Sequence, residues 1–258
     1  MSSPNDRYHR VGFLVAGVQK GGTTALFDYL AEHPSLSLPV VKEAHFFDDE
    51  TNVDWAKPDY CRYEALFPDD PARTRPRGEA TPIYIYWPNS LERIAAYNPA
   101  MRLILIFRDP IERAWSHWKM EYARGAETQP FAWCIRDGRK RMASNPAAPG
   151  FHRVYSYVER GFYGAQVERL LTVFPKEQVL FLRSDELRAD PEPILCKVCD
   201  FLNAPRFHHI EAKESHVAKL IDYGLDVTGA DRTYLRSLFV NDQRLFSHLS
   251  GISFPCFE

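Results

Sequence analysis

Three short stretches of this 258-residue chain place reactive side chains at spacings suited to holding an anion and activating a hydroxyl. The first is Gly17-Val18-Gln19-Lys20-Gly21-Gly22-Thr23-Thr24-Ala25-Leu26, a glycine-rich turn between an apolar run and an amphipathic one. Glycines let backbone amides converge and a following helix adds its partial positive charge, so the turn is suited to a phosphate-like group. Against the phosphate-loop pattern GxxxxGK[ST], Gly17 and Gly22 take the glycine positions and Thr24 the hydroxyl position. Thr23 replaces the lysine, and Lys20 lies inside the loop instead. A cation three residues earlier meets the ligand nearer the bond beside a 5′ group shorter than a triphosphate. The bland alternative, a glycine turn with a solvated lysine, leaves the two threonines and the lysine without a purpose.

The second stretch is Arg108-Asp109-Pro110-Ile111-Glu112-Arg113-Ala114-Trp115-Ser116-His117-Trp118. Pro110 suits a first helical turn with Asp109 as its cap. Arg108 and Ser116, two turns apart, can then face one anion. Taken alone, a helix-flanking salt bridge explains Arg108 equally well. The third stretch, Lys42-Glu43-Ala44-His45-Phe46-Phe47-Asp48, sets charged groups beside an aromatic pair. Glu43 is the candidate general base, with desolvation by Phe46 and Phe47 expected to raise its pKa. His45 and Asp48 lie beside it. The competing reading pairs Glu43 with Lys42 or Lys20 for charge balance alone and leaves His45 a packed loop histidine.

These stretches need elements to hold them. Apolar runs at 11–16, 83–86, 103–107 and 179–182 read as buried strands, the second weakly. Helical patterns occupy 24–33, 90–97, 111–123, 164–174 and 191–202. The alternation predicts an α/β fold, a P-loop-like and mainly parallel central sheet with helices on both faces. Ligands bind beyond the carboxyl ends of strands in such sheets, where the first two stretches fall. With no internal repeat or low-complexity linker, 1–258 is expected to be a single domain whose first nine residues are flexible. Proline-rich segments at 68–76 and 145–149 read as surface loops.

Composition sets the outer limits. The chain is 45% hydrophobic and 26% charged with a net charge of -2, which excludes disorder as the main state and gives no general attraction for nucleic acid. No apolar run is long enough to cross a membrane, and MSSPNDRYHR lacks a secretory apolar core, so a cytoplasmic location is expected. Five scattered cysteines make no disulfide framework. Cys196-Lys197-Val198-Cys199 sits in a helical apolar pattern with no second pair to complete a zinc site.

On its motifs the chain resembles the sulfotransferases that use 3′-phosphoadenosine 5′-phosphosulfate (PAPS), in the branch of heparan sulfate N- and O-sulfotransferases and their bacterial relatives. GVQKGGTTAL is similar to the family's 5′-phosphosulfate loop and RDPIERAWSHW to its 3′-phosphate motif. The resemblance implies that Lys20, Gly21, Gly22, Thr23 and Thr24 hold the 5′-phosphosulfate, and that Arg108 and Ser116 hold the 3′-phosphate. Arg160-Gly161-Phe162-Tyr163 is similar to an RGxY segment and implies a nucleotide contact through Tyr163. The stretch around Glu43 resembles the ExHFFD of glucosaminyl 3-O-sulfotransferases, which implies Glu43 as base with His45 and Asp48 in support.

The implied reaction transfers a sulfuryl group from PAPS to a hydroxyl and leaves 3′-phosphoadenosine 5′-phosphate (PAP). Lys20 stabilises charge on the bridging oxygen, and no metal is called for. The expected acceptor is a carbohydrate, glycolipid or glycosylated metabolite. Where the family carries a substrate-side lysine in EKTPxY, this chain has Ala80 within Glu79-Ala80-Thr81-Pro82-Ile83-Tyr84, which argues against borrowing a polyanionic glycan. The basic C-terminal loop of the family lacks a clear counterpart near Lys213, His216 and Lys219. Trp87, Trp115, Trp118 and Trp133 are candidates for stacking on a sugar, and core packing explains them just as well. Two other classes remain, a small-molecule kinase of the same nucleotide fold and a non-catalytic nucleotide-binding protein.

Overall fold

The computed structural model describes residues 10–70, 74–145, 148–210 and 226–257. The N-terminal nine residues, part of each proline-rich segment, and Lys213, His216 and Lys219 lie outside them. The described residues form two compact units, one reaching to Phe107 and resuming at Leu170, the other running from Arg108 to Arg169 and resuming at Asp226.

The elements follow in the order β1 (Val11–Gly17), α1 (Thr23–Ala31), the short α2 (Tyr60–Glu64), β2 (Arg77–Ala80), α3 (Ser90–Tyr97), β3 (Arg102–Phe107), α4 (Pro110–Ala123), the short α5 (Phe131–Cys134), α6 (Tyr163–Val173), β4 (Val179–Arg183), α7 (Ser184–Ala189), α8 (Pro191–Leu202) and α9 (Gly229–Ser250). The first unit is built on one parallel sheet in the order β2-β1-β3-β4. Successive side chains of a strand point to opposite faces. Phe13 and Val15 of β1, Ile104 and Ile106 of β3 and Leu182 of β4 share a core with Leu26 and Leu30 of α1 and Ile194, Leu195 and Val198 of α8. The alternate row, Leu14, Leu103 and Leu105, is equally buried, so the sheet is covered on both sides. That is the expected α/β arrangement. Strand order 2-1-3-4 reverses direction across the β1/β3 pair, and the crevice beyond their carboxyl ends is where such sheets take ligands.

One strand is not where apolar content puts it. Ile83 to Tyr86 is buried but folds as tight turns, with Tyr86 N–H on Ile83 O at 3.0 Å and Ile85 N–H on Ala16 O at 3.1 Å. The strand is the polar Arg77-Gly78-Glu79-Ala80 instead. It tolerates burial because its charged groups are met locally: the Arg77 guanidinium donates to Pro68 O, and Glu79 accepts from neighbouring hydroxyls. Ala80 lies in the core shared by α1 and α8.

In the second unit, Ile111, Ala114, Trp115 and Trp118 of α4 pack with Phe131 of α5, Tyr157, and Leu235 and Phe239 of α9. Trp115 and Trp118 stack on each other at 4.8 Å. These two rings, and Trp87 in the first unit, are buried, in line with the core-packing reading of the tryptophans, whereas Trp133 keeps an exposed face. α9 starts with a capping box in which Thr228 and Asp231 satisfy each other's backbone amides. Cys199 and Ile194 of α8 are buried as the helical pattern required.

Gly78 shows how tightly β1 and β2 meet, because a Cβ there would collide with the ring of Phe13. Gly78→Ala should lower stability by about 1–3 kcal/mol in urea unfolding, since the fully buried ring has no space to move into. A loss below about 0.5 kcal/mol would show that the strand pair is looser than described.

Candidate active site

The glycine loop leaves the carboxyl end of β1 and turns against β3. Val18 N–H donates to Ile106 O at 3.1 Å, and Gly21 N–H closes the turn on Val18 O at 2.8 Å. A Cβ on Gly21 would strike Ile106 O, so only glycine lets the chain approach this closely. Lys20 takes φ 67 and Gly22 φ 102, both left-handed, and α1 begins at once with Thr23. Gly22, at the N-cap position, has no side chain to cap the helix. The first turn of α1 therefore offers its unspent amides and positive end to an outside anion. Thr23 is buried beneath the loop while Thr24 is exposed on it. Loop shape, glycine clearance and an uncapped helix start are together compatible with a phosphate-like group at Lys20 through Thr24.

The Glu43 stretch follows Ser37, whose backbone bridges to β2, and is tied to the end of that strand. Glu43 N–H donates to Ala80 O at 3.1 Å, His45 N–H to Thr81 Oγ1 at 3.4 Å and Phe46 N–H to the Tyr84 hydroxyl at 3.1 Å. Ser90 and Arg93 of α3 both donate to Phe47 O at 3.1 Å. Phe46 stacks on Tyr63 at 4.9 Å, and Phe47 meets Tyr63 and Tyr84 edge-on. These anchors hold Glu43 at φ 67 and His45 at φ 50, conformations that cost a side-chain-bearing residue free energy.

Within this frame the structure brings Glu43, His45 and Asp48 together. His45 Nδ1 lies 3.0 Å from Asp48 Oδ2, and its Nε2 lies 3.3 Å from Glu43 Oε2. Lys42 Nζ donates to the other Glu43 oxygen at 2.5 Å. Asp48 has no exposed surface, whereas the Glu43 and His45 side chains keep 38% and 45% of theirs.

The expectation of a raised Glu43 pKa is overturned. Burial does push it upward, but hydrogen bonds and charge from His45 and Lys42 outweigh that and hold the carboxyl down at about 2. The aromatic pair faces away into the tyrosine cluster, so it does not wrap the carboxylate. His45 moves the other way, to about 9, through its hydrogen bonds to Asp48 and Glu43. A residue the motifs did not single out, Glu79, lies fully buried behind them, and burial raises its carboxyl to about 7 against hydrogen bonds from Thr81 and Tyr84. Glu79 opens the stretch similar to EKTPxY, but a charged residue in a short polar strand carries no sign of burial in its own sequence.

In the second unit Asp109 Oδ1 caps α4, accepting from Ile111 and Glu112 N–H at 2.8 and 3.0 Å, as the sequence predicted. Arg108 Nη2 lies 3.7 Å from Glu112 Oε2, and Arg232 donates to the other Glu112 oxygen at 2.6 Å. Ser116 is half-buried one turn beyond Glu112. Tyr163 is fully buried, and its hydroxyl donates to Arg108 O at 2.9 Å. Among the described residues, no group of three or more His, Cys, Asp or Glu is placed to hold a metal ion, and no helix is long and apolar enough to cross a membrane.

A parallel sheet whose first strand opens through a glycine loop into a helix without a side-chain cap defines an α/β protein of P-loop-like fold. Comparison with known proteins narrows that class. A family model described as "Sulfotransferase domain" matches residues 12–220, and the chain belongs to that family. It is 30% identical over 196 residues to human heparan sulfate glucosamine 3-O-sulfotransferase 3B1, covering 75% of this chain and 46% of that protein. It is 29% identical over 212 residues to the human bifunctional heparan sulfate N-deacetylase/N-sulfotransferase 3, covering 78% of this chain and 23% of that one. The chain thus spans less than half the length of these curated relatives. Among solved structures, a sulfotransferase from Alicyclobacillus acidocaldarius has the same fold, with a TM-score of 0.80 at 24% identity over 96% of this chain and 98% of that one.

The opposite shifts of His45 and Glu43 set a pH window. A histidine whose folded pKa is raised contributes stability that is complete below its ordinary value and fades as pH climbs through about 9. The Glu43 contribution is complete above its ordinary value and is lost only as pH falls toward about 2. The His45 ring should therefore titrate near 9 by NMR, and His45→Gln should cost stability near neutral pH but not well above 9. A midpoint near the ordinary 6.5 would show that the two carboxylates do not grip the ring.

Proposed function

We propose that this protein is a PAPS-dependent sulfotransferase acting on a hydroxyl of a carbohydrate, glycolipid or glycosylated metabolite. The observation that carries the reading is the Glu43-His45-Asp48 cluster, anchored at the end of β2 in a chain whose β1 opens into the glycine loop. The family model crosses both compact units, which supports treating them as one catalytic domain. The relatives named above act on heparan sulfate, a glycan, which supports a sugar hydroxyl. At position 80 the substrate-side lysine of their motif is replaced by a core alanine, so a polyanionic acceptor is not carried over.

When bound, PAPS supplies an activated sulfuryl group and a stable nucleotide leaving group. Lys20, Gly21, Gly22, Thr23 and Thr24 hold its 5′ end through loop amides, the α1 terminus and the lysine charge. Arg108 and Ser116 hold the 3′-phosphate, and Tyr163 fixes the Arg108 backbone. Glu43 accepts the acceptor proton. As an ionised carboxylate held at about 2 it is always ready but weakly basic, so it takes the proton late, once bond formation to sulfur has acidified the hydroxyl. His45, charged and gripped by Asp48, fixes the carboxylate's direction and limits its basicity. Lys20 lies in the loop that meets negative charge developing on the leaving oxygen.

Calorimetry with PAP and with the 5′-monophosphate lacking the 3′ group tests the nucleotide assignment. PAP should bind about tenfold or more tighter, and Arg108→Ala should erase that preference, a difference of about 1.4 kcal/mol. Equal binding of the two nucleotides in the unmodified protein would refute the 3′ site. In a screen with labelled PAPS, Glu43→Gln should lower kcat by about 100-fold or more with PAP affinity held within about twofold. Undiminished turnover would move the base elsewhere. Phosphoryl transfer from ATP with magnesium, and none from PAPS, would replace this reading with the kinase.

A further inference from the structure

We propose that Glu79 is a positioning residue, the buried hub from which Thr81, Tyr84 and Tyr63 hold the Glu43-to-Asp48 loop in its working shape. The inference rests on the reading of Glu43 as the base and goes beyond it by assigning a role to a residue outside the reacting groups. Glu79 Oε2 accepts from the Thr81 hydroxyl at 2.7 Å, and Oε1 accepts from the Tyr63 hydroxyl at 3.4 Å. The Tyr84 hydroxyl bears on the same carboxylate. Each of these three side chains has a second attachment, and in every case it is to the loop. Thr81 Oγ1 accepts the His45 N–H, the Tyr84 hydroxyl accepts the Phe46 N–H, and the Tyr63 ring packs against Phe46 and Phe47.

Two consecutive loop amides therefore end on hydroxyls that face one acid. A hydroxyl that donates to a carboxylate is polarised into a better acceptor, so the His45 and Phe46 amides are held more firmly than unassisted hydroxyls would hold them. This matters because His45 sits at a positive φ and would relax toward ordinary backbone if its anchors loosened. His45 would then lose its simultaneous reach to Asp48 and Glu43. A carboxylate without exposed surface is costly unless its environment uses it, which sets Glu79 apart from a chance core residue. The ionisable groups facing this assembly are Asp48, whose like negative charge disfavours ionisation of Glu79, together with Tyr63 and Tyr84; His45 in turn faces Asp48 and Glu43.

Glu79→Gln keeps the shape and removes the full acceptor. It should lower kcat about tenfold or more, leave PAP affinity within about twofold, and move the His45 titration seen by NMR from about 9 toward the ordinary histidine value. Thr81→Val cuts one strut with the acid in place and should show a smaller change of the same kind, which Thr81→Ser should reverse; this pair carries the test if Glu79→Gln does not fold. The proposal is overturned if kcat and the His45 titration both stay unchanged, or if nucleotide affinity and turnover fall together, the mark of a general structural loss. If the unmodified protein transfers no sulfuryl group, the functional reading fails, and the His45 titration in the same variants still decides the role of Glu79.

Discussion

A carboxylate with no exposed surface needs a partner, and Asp48 is the group around which the Lys42-to-Asp48 charge cluster is arranged. Its charge is met by His45, which is thereby held as a cation, and the cation in turn takes hold of Glu43. Without Asp48 to compensate, His45 would lose one of the two carboxylates that its ring bridges, and its left-handed backbone would rest on the amide anchors alone. The end of β2 supplies the remaining constraint by receiving the loop's amides on a carbonyl and two hydroxyls. Electrostatic need and backbone anchoring act on the same few residues, so the cluster does not depend on exposed side chains finding one another.

Much of this was legible in the sequence, for identifiable reasons. The glycine loop could be read because turn, close approach and helix start each demand particular residue types, and Gly21 against Ile106 O is such a demand in the structure. The Asp109 cap and Pro110 were legible because caps are local chemistry. β2 was not, since Arg77 and Glu79 look like surface residues until Pro68, Tyr63 and Thr81 are folded against them. The apolar stretch from Ile83 to Tyr86 misled for the converse reason: burial is nonlocal and does not distinguish a strand from a buried turn.

The site residues divide along the same line. That Glu43, His45 and Asp48 belong together is what the ExHFFD resemblance implies, but the sign of the Glu43 shift is not. It depends on whether two rings or two cations lie against the carboxylate, and the tyrosine cluster draws Phe46 and Phe47 away. Tyr163 is a similar case. Its motif marks it as important, yet only the packed structure shows that its hydroxyl serves the backbone of Arg108. Sequence identified participants, and tertiary packing decided whether each acts directly or through a neighbour.

Lys42, Glu43, His45 and Asp48 form a row in which positive and negative charge alternate, each within contact of the next. With His45 protonated, the row as a whole is electrically neutral. On the proposed reading, proton uptake by Glu43 leaves the row with one net positive charge at the moment the acceptor oxygen becomes part of a sulfate monoester anion. The chain would then oppose its own product leaving until Glu43 returns the proton to solvent. Its low proton affinity makes that return fast, so the ion pairs that weaken Glu43 as a base also reset it between turnovers.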